Sequence, residues 1–377
     1  MYAPGWDLEM AIAPEDTLGL DEVAEALDNG WTLPARWYSD PVVAELEYQR
    51  IFARSWTLLC PESKLASTGD HVVGSSGRVP VVVTRDAEGR LHGFVNVCRH
   101  RAHPVAMTDG CRKLLQCRYH GWTYTLDGKL QNAPRMSREM DFDRADLSLV
   151  PVAVDVWRGF VVVNPDVGAP RLLDVHPALE PLAVERNLGF ADWTFREHWV
   201  YPMEANWKVF VENGVECYHC PTVHTKSFSD AFITDANVYE LFETGGLLCQ
   251  FTPYNARRAN TRWGGQTGDG FRIIYMWPTS FWAQDDQVAF TGMIVPTGLE
   301  SCEFHADVYS HPEADETFVA DWMEMYDKTF AEDADVVRVQ QAGLRSQTIP
   351  YGRLLPKSES PIRHFHRLVY EALAAQA

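Results

Sequence analysis

Cys98 and His100 are separated by one residue, Cys117 and His120 by two, and sixteen residues lie between the pairs. Each pair offers one thiolate and one imidazole. In the order Cys, His, Cys, His the four suit a Rieske-type [2Fe–2S] centre, in which two cysteines hold one iron and two histidines the other. That ligation lifts the reduction potential above that of an all-cysteine cluster. Zinc also accepts two cysteines and two histidines, but its usual order puts both cysteines first. Here each pair is mixed, and the chemistry indicated is single-electron transfer.

A second donor set lies in the run Glu212 to His224. His219 and His224 are five residues apart, whereas residues three or four apart share a helix face. Asn206 to Tyr218 reads as a helix, and Pro221 ends it, so that the chain can bend and return His224 towards His219. Two histidines and one carboxylate make the facial triad of non-haem Fe(II) oxygenases, which leaves positions open for dioxygen. The carboxylate must come from elsewhere. Glu332, Asp333 and Asp335 lie on a late helix, and spacing does not choose among them. Cys217 and Cys220 read as incidental, because a thiol beside an oxygen-activating iron is an oxidation liability.

The elements that must position these groups change in texture along the chain. Asp21 to Leu27 and Asp40 to Glu47 read as helices begun by N-cap aspartates, the second with Pro41 at its first position. From Ser55 to about Pro165 short strands dominate. Val79–Thr84 and Leu91–Asn96 flank a turn at Asp86–Gly89, and Leu126-Asp127-Gly128 reads as a hairpin turn. Both cysteine–histidine pairs therefore fall on loops after strands. The Pro/Gly-rich run Pro165 to Pro170 reads as a boundary. Beyond it, residues 236 to 310 alternate like an antiparallel sheet, and a helical stretch runs from Asp315 to Leu344 with a break near Ala331. Trp263, Tyr275, Trp277, Phe281 and Trp282 in the sheet region are candidates to line a cavity.

The 377 residues suffice for two domains, and 46% hydrophobic content supports a large core. A net charge of −19 argues against nucleic acid and anionic membranes as partners. Eight scattered cysteines do not make a secreted disulfide framework, and no secretory signal or membrane span is visible. These features predict a soluble, cytoplasmic protein.

On these motifs the chain resembles the α-subunit (terminal oxygenase) family of Rieske non-haem iron ring-hydroxylating oxygenases. The strongest blocks are Asn96 to Trp122, Asn206-Trp207-Lys208 with Glu212 to His224, and Glu332 to Ser346. The resemblance implies an α+β fold: a Rieske β-sandwich at 55–165 and a mononuclear iron domain of antiparallel sheet covered by helices at 166–377, with 1–54 a helical segment packed on the latter. It implies Cys98, His100, Cys117 and His120 as cluster ligands and His219, His224 and Asp333 as iron ligands. Glu216 becomes the acidic bridge by which one subunit's cluster serves the neighbouring subunit's iron in a homotrimer. Ala102 departs from the family pattern, standing where glycine commonly follows the first half-site.

The same resemblance implies O2 as co-substrate and a separate NAD(P)H-dependent reductase or ferredoxin, since the chain shows no dinucleotide-binding fingerprint of its own. Some family members need a small β-subunit and others do not. Glu-Cys-Tyr-His-Cys-Pro and Gln-x-Gly-Leu resemble the choline, betaine and carnitine monooxygenase branch, which implies hydroxylation or demethylation of a quaternary ammonium compound. The alternatives are an aromatic-ring or aromatic-acid hydroxylating (di)oxygenase and a Rieske electron carrier with no oxygenase activity.

Overall fold

A computed structural model describes residues 18–139, 141–234, 238–242, 246–255 and 269–375. Trp263 lies outside them. The described residues divide into two compact units, residues 52–172 and residues 18–51 together with those from 173 to 375. Among the described residues no helix is long and apolar enough to cross a membrane.

The first unit is built from antiparallel strands. One seven-stranded sheet runs Thr57–Pro61, Phe160–Asn164, Pro151–Trp157, Leu91–Val95, Val79–Arg85, Asp70–Ser76, Gly110–Cys111, and a three-stranded sheet runs Leu115–Gln116, Thr123–Tyr124, Leu130–Asn132. Valine-rich runs form the first sheet because both of its faces are covered. Successive side chains in a strand point to opposite faces. Val81 and Val83 accordingly join one core cluster with Val72, Val161 and Val163. Val82 joins the other, with Phe94, Trp122, Tyr124, Cys98 and Cys117. The two cysteines are thus part of a hydrophobic core. Both expected turns are present, at Gly89 and Gly128, each with positive φ. At Gly128 a Cβ would come within 2.3 Å of the Phe94 ring, so the tight turn and the close packing both require glycine.

The second unit is a seven-stranded antiparallel sheet in the order Thr194–Met203, Ser301–Ser310, Val288–Gly298, Ser280–Gln284, Gly270–Met276, Leu247–Pro253, Val238–Phe242. The helices Trp207–Gly214, Glu316–Arg345 and Ser360–Ala374 accompany it. The first of these is fixed by buried polar contacts. Lys208 pairs with Glu47, and Trp207 Nε1 donates to Glu47 at 2.8 Å. Glu212 accepts from Tyr38 Oη at 2.5 Å and lies 3.0 Å from His366 Nε2. Leu33 N donates to His366 Nδ1, so the imidazole proton sits on Nε2, facing Glu212.

Several local expectations change. Asp40 caps the helix Pro41–Glu47 as expected, accepting from Val42 N at 2.8 Å. Asp21, however, lies inside the first turn of Leu20–Asp28, and the cap position is Gly19 with positive φ. The helix begun by Asn206 stops at Gly214. Pro221 does not end it but opens a separate single turn, Cys220–Val223, in keeping with proline's preference for the first helical positions. The late helix is one unbroken rod, Glu316–Arg345. No proline interrupts it, and its apolar spacing continues through Ala331.

Candidate metal centres

In the first unit the two half-sites are copies of one loop. Cys98 N donates to His103 O, and Ala102 N donates back to Cys98 O. Cys117 N donates to Trp122 O, and Gly121 N back to Cys117 O. The fifth residue of each loop has positive φ, 56° at Ala102 and 75° at Gly121. Glycine takes that conformation freely and alanine does so at a steric cost. The departure at Ala102 is therefore a strained position as well as an added methyl.

These loops sort the donors by depth. Cys98 and Cys117 are buried, while His100 and His120 are exposed, with their Nδ1 atoms 3.1 Å apart. Trp122 stacks on His100 with ring centroids 4.9 Å apart. Tyr124 Oη lies 3.3 Å from Cys98 Sγ and accepts from Arg99 N at 3.1 Å. Burial pushes the Cys98 thiol up in pKa. A thiolate in this core needs a compensating cation, and metal coordination supplies one. The two imidazole nitrogens facing each other at the rim complete a donor set that fits a [2Fe–2S] cluster.

In the second unit His219 and His224 bracket the turn Cys220–Val223. One short helical turn, rather than a bend at its end, brings their Nε2 atoms to 3.1 Å. Asp333 Oδ1 from the long helix lies 3.0 Å from His224 Nε2 and 3.6 Å from His219 Nε2. Asn213 Nδ2 donates to the same oxygen at 3.1 Å. The opposite ring nitrogens face carboxylates: His219 Nδ1 lies 2.6 Å from Glu216 and His224 Nδ1 2.9 Å from Glu332. Ser227 Oγ donates to Glu332 at 2.5 Å. With Nδ1 protonated on both rings, both Nε2 lone pairs face the Asp333 oxygen, the arrangement a mononuclear iron requires.

The three acidic candidates thus separate. Asp333 is buried and aimed at the histidines, Glu332 orients His224, and Asp335 is exposed and paired with Arg338 at 2.6 Å. Burial pushes the Asp333 carboxyl up, but the pull of His219 and His224 outweighs it and holds Asp333 at about 2. Burial likewise lowers His219, yet Asp333 and Glu216 raise it to about 10. In the metal-free protein the site therefore holds a proton that a cation would replace. Cys220 Sγ is 3.9 Å from His219 Nε2, but it is bonded to Cys217. The two cysteines are not incidental neighbours. They form a disulfide that closes the short loop containing Tyr218 and His219 and leaves no free thiol there. Sequence spacing does not mark Asn213, and the Cys-x2-Cys spacing of Cys217 and Cys220 reads from sequence as incidental.

A cavity of about 90 Å³ opens on this donor set. Its walls include Phe210, Phe281, Phe290, Phe304, Phe330 and Tyr326. Strand register explains the space. Gln250, Ile273, Ala283 and Phe290 are successive cross-strand partners, as are Tyr275, Phe281 and Gly292. Small residues at 283 and 292 leave room between the rings, and a Cβ on Gly292 would meet Phe304 at 2.6 Å. Of the aromatic residues expected from sequence, Phe281 is a lining residue. Tyr275 instead donates from Oη to Pro278 O, and Trp282 points to the other face of its strand. The long helix supplies Tyr326, Thr329, Phe330 and Asp333 to the cavity.

Residues 55–155 match the Rieske [2Fe-2S] domain, and residues 190–375 match the ring hydroxylating alpha subunit (catalytic domain). The chain is 29% identical to the chloroplastic choline monooxygenase of Beta vulgaris over 97% of its length and 80% of the relative's. It is also 29% identical to the carnitine monooxygenase oxygenase subunit of Escherichia coli (strain K12), over 90% of this chain and 93% of that one. The crystal structure of the quaternary ammonium Rieske monooxygenase CntA in complex with L-carnitine superposes with a TM-score of 0.79 at 28% identity, covering 96% of this chain and 99% of that one. A Rieske domain followed by a ring-hydroxylating catalytic domain, each with a donor set suited to its iron, places this chain in the family of Rieske non-haem iron ring-hydroxylating oxygenases as an α, or terminal oxygenase, subunit that uses a [2Fe–2S] cluster and a mononuclear iron.

Proposed function

We propose that the chain is the oxygenase component of an enzyme that hydroxylates or demethylates a small quaternary ammonium compound, with O2 as co-substrate. The observation that carries this reading is the aromatic cavity opening directly on His219, His224 and Asp333. Ring faces attract a cation that has no N–H to donate, and a trimethylammonium group presents methyls to them. Glu216 and Asp333 are among its lining residues and add negative charge. The likeness to choline and carnitine monooxygenases supports the same substrate class.

In this reading Cys98, Cys117, His100 and His120 hold the cluster within residues 55–165. His219, His224 and Asp333 hold the mononuclear iron within residues 166–377, to which the segment 1–54 is assigned; residues 1–17 of that segment lie outside the described residues. When bound, the cluster supplies single electrons and the mononuclear iron supplies oxygen activation. The chain's own groups do the rest. The core around Cys98 and Cys117 keeps water from the sulfurs, and His100 and His120 sit at the surface where an electron donor can approach. Glu216 and Glu332 hold the Nδ1 protons and so fix both rings. The Phe walls exclude water from the reacting end of the substrate.

The donor is a separate NAD(P)H-dependent reductase or ferredoxin, the assembly is a homotrimer with Glu216 bridging neighbouring subunits, and the compartment is the cytoplasm. Inter-subunit electron transfer is described for a quaternary ammonium Rieske monooxygenase of the same fold. Oxygen uptake by the iron-loaded protein with a reductase, across a panel of quaternary amines and aromatic acids, tests the reading. Uptake with quaternary amines is expected, and uptake with aromatic acids alone overturns it.

A further inference from the structure

The disulfide between Cys217 and Cys220 adjoins the mononuclear site and has no part in the chemistry above. Both residues are buried, and both belong to the wall of the aromatic cavity. Cys220 Sγ lies 3.9 Å from His219 Nε2. One ligand atom from each of His219, Cys220 and His224 falls within 4.8 Å of the others, so the three make a metal-donor set of their own. The two histidines are therefore shared between two sets. One is completed by the Asp333 carboxylate, 3.0 Å from His224 Nε2, and the other by the Cys220 sulfur. Metals take the thiolate, and a sulfur bonded to Cys217 has none to offer.

The loop is held by more than the sulfur bridge. Cys217 N donates to Tyr239 Oη at 3.0 Å. Ser229 Oγ donates to Cys220 O at 2.8 Å, and His224 N donates to the same carbonyl at 2.9 Å. The Cα atoms of the two cysteines are 4.9 Å apart, an ordinary separation for a bridge that opens and re-forms without backbone movement. Reduction therefore frees the sulfurs and leaves both histidines in place. Two imidazoles with a carboxylate suit Fe(II) and keep positions open, whereas a thiolate beside the same imidazoles favours a softer ion such as zinc. A thiol beside an oxygen-activating iron is also readily oxidised, and the bridge removes it.

We propose that Cys217 and Cys220 form a redox switch on the identity of the bound metal. As a disulfide the pair leaves His219, His224 and Asp333 as the iron site. A dithiol reductant opens the bridge by exchange. Its two thiols become a disulfide, and their two electrons and two protons pass to the Cys217 and Cys220 sulfurs. Cys220 then gives its proton to solvent and, as a thiolate, joins His219 and His224 in a site that prefers zinc. This rests on the assignment of His219 and His224 as metal ligands and adds a second donor set to it.

Anaerobic equilibrium dialysis tests this on cluster-loaded protein stripped of its mononuclear iron. The probes are Fe(II) in large excess and Zn2+, with both metals then counted per chain. The protein is compared before and after treatment with dithiothreitol, which is removed before dialysis. Treatment should expose two further thiols per chain, and the ratio of bound zinc to bound iron should rise on the order of tenfold. Two serine variants separate a switch from a mere clamp, because each abolishes the bridge. Cys217→Ser keeps the Cys220 sulfur and should show the high zinc ratio without reductant. With Co2+ in place of zinc it should also develop a thiolate-to-cobalt charge-transfer band. Cys220→Ser lacks that sulfur and should keep the low ratio in either condition, with no such band. No gain of thiols, an unchanged ratio on reduction, or equal ratios in the two variants overturns the switch while iron binding at His219 and His224 stands. Binding of neither metal beyond the cluster iron overturns that assignment as well.

Discussion

The two metal centres are built in opposite ways. In the first unit each half-site is a loop closed on itself by backbone hydrogen bonds, and its two donors lie within four residues of each other. Only the meeting of the two loops depends on the sheet. In the second unit the donors come from a single helical turn and from a helix more than a hundred residues later, and each histidine is aimed by a carboxylate. A self-closed loop carries its geometry in local sequence. A site assembled from distant elements carries it in packing.

That contrast can be broken at its ends. The largest effect is expected from Asp333→Ala. Turnover should be abolished and iron should fall from about three to about two per chain, the remaining two being those of the cluster. The visible spectrum of the cluster should stay intact. Asp335→Ala, two residues away and exposed, should change neither quantity. Normal turnover by Asp333→Ala would remove that residue from the iron site.

Next in size is Glu332→Gln, which weakens the group that aims His224 while keeping its shape. Loss of such an outer partner typically costs ~10–100-fold in metal affinity. Titration of Fe(II) into the metal-free protein measures it, and unchanged affinity would mean that the turn Cys220–Val223 alone sets the ring.

A smaller effect concerns protons. His219 is raised to about 10 in the metal-free protein, so below that pH iron must displace its proton. Affinity should therefore climb with pH by up to roughly tenfold per unit, and should keep climbing above the ordinary histidine range near 6.5. Anaerobic titrations at pH 6.5, 7.5 and 8.5 check this. A plateau above pH 7 would show that Asp333 and Glu216 do not hold the proton.

The smallest effect tests the likeness of the two loops. Ala102→Gly should stabilise the first unit by about 1 kcal/mol, because alanine there occupies a left-handed conformation. Gly121→Ala should cost about as much. Thermal unfolding followed by cluster absorbance reads both. No response at either position would mean that the two loops are not equivalent in energy.

The legible parts of the sequence follow the same division. The two short loops that carry Cys98, His100, Cys117 and His120 were legible in spacing, and so were the turns at Gly89 and Gly128, because each signal is confined to a few residues. The Asp40 cap was legible for the same reason. Pro221 misled, since proline is compatible both with the end of one helix and with the start of the next, and only packing decides. Glu332, Asp333 and Asp335 could not be ranked from spacing alone, because which face of the helix meets the histidines depends on how the helix lies in its unit. The cavity was least visible. Phe281 was foreseen and Trp282 wrongly grouped with it, although alternation along one strand sends the two to opposite faces.

The unbroken helix Glu316–Arg345 has a consequence for how such an enzyme diversifies. Tyr326, Phe330 and Asp333 occupy positions i, i+4 and i+7 on it, spanning about 10 Å at 1.5 Å per residue. On the proposed assignment of Asp333 to the iron, selection can exchange the upper rungs of this ladder for new side chains and so admit a different molecule, while the bottom rung keeps the metal where it was. Appetite for substrate and custody of the iron are written on one rigid stave, yet they can be edited separately.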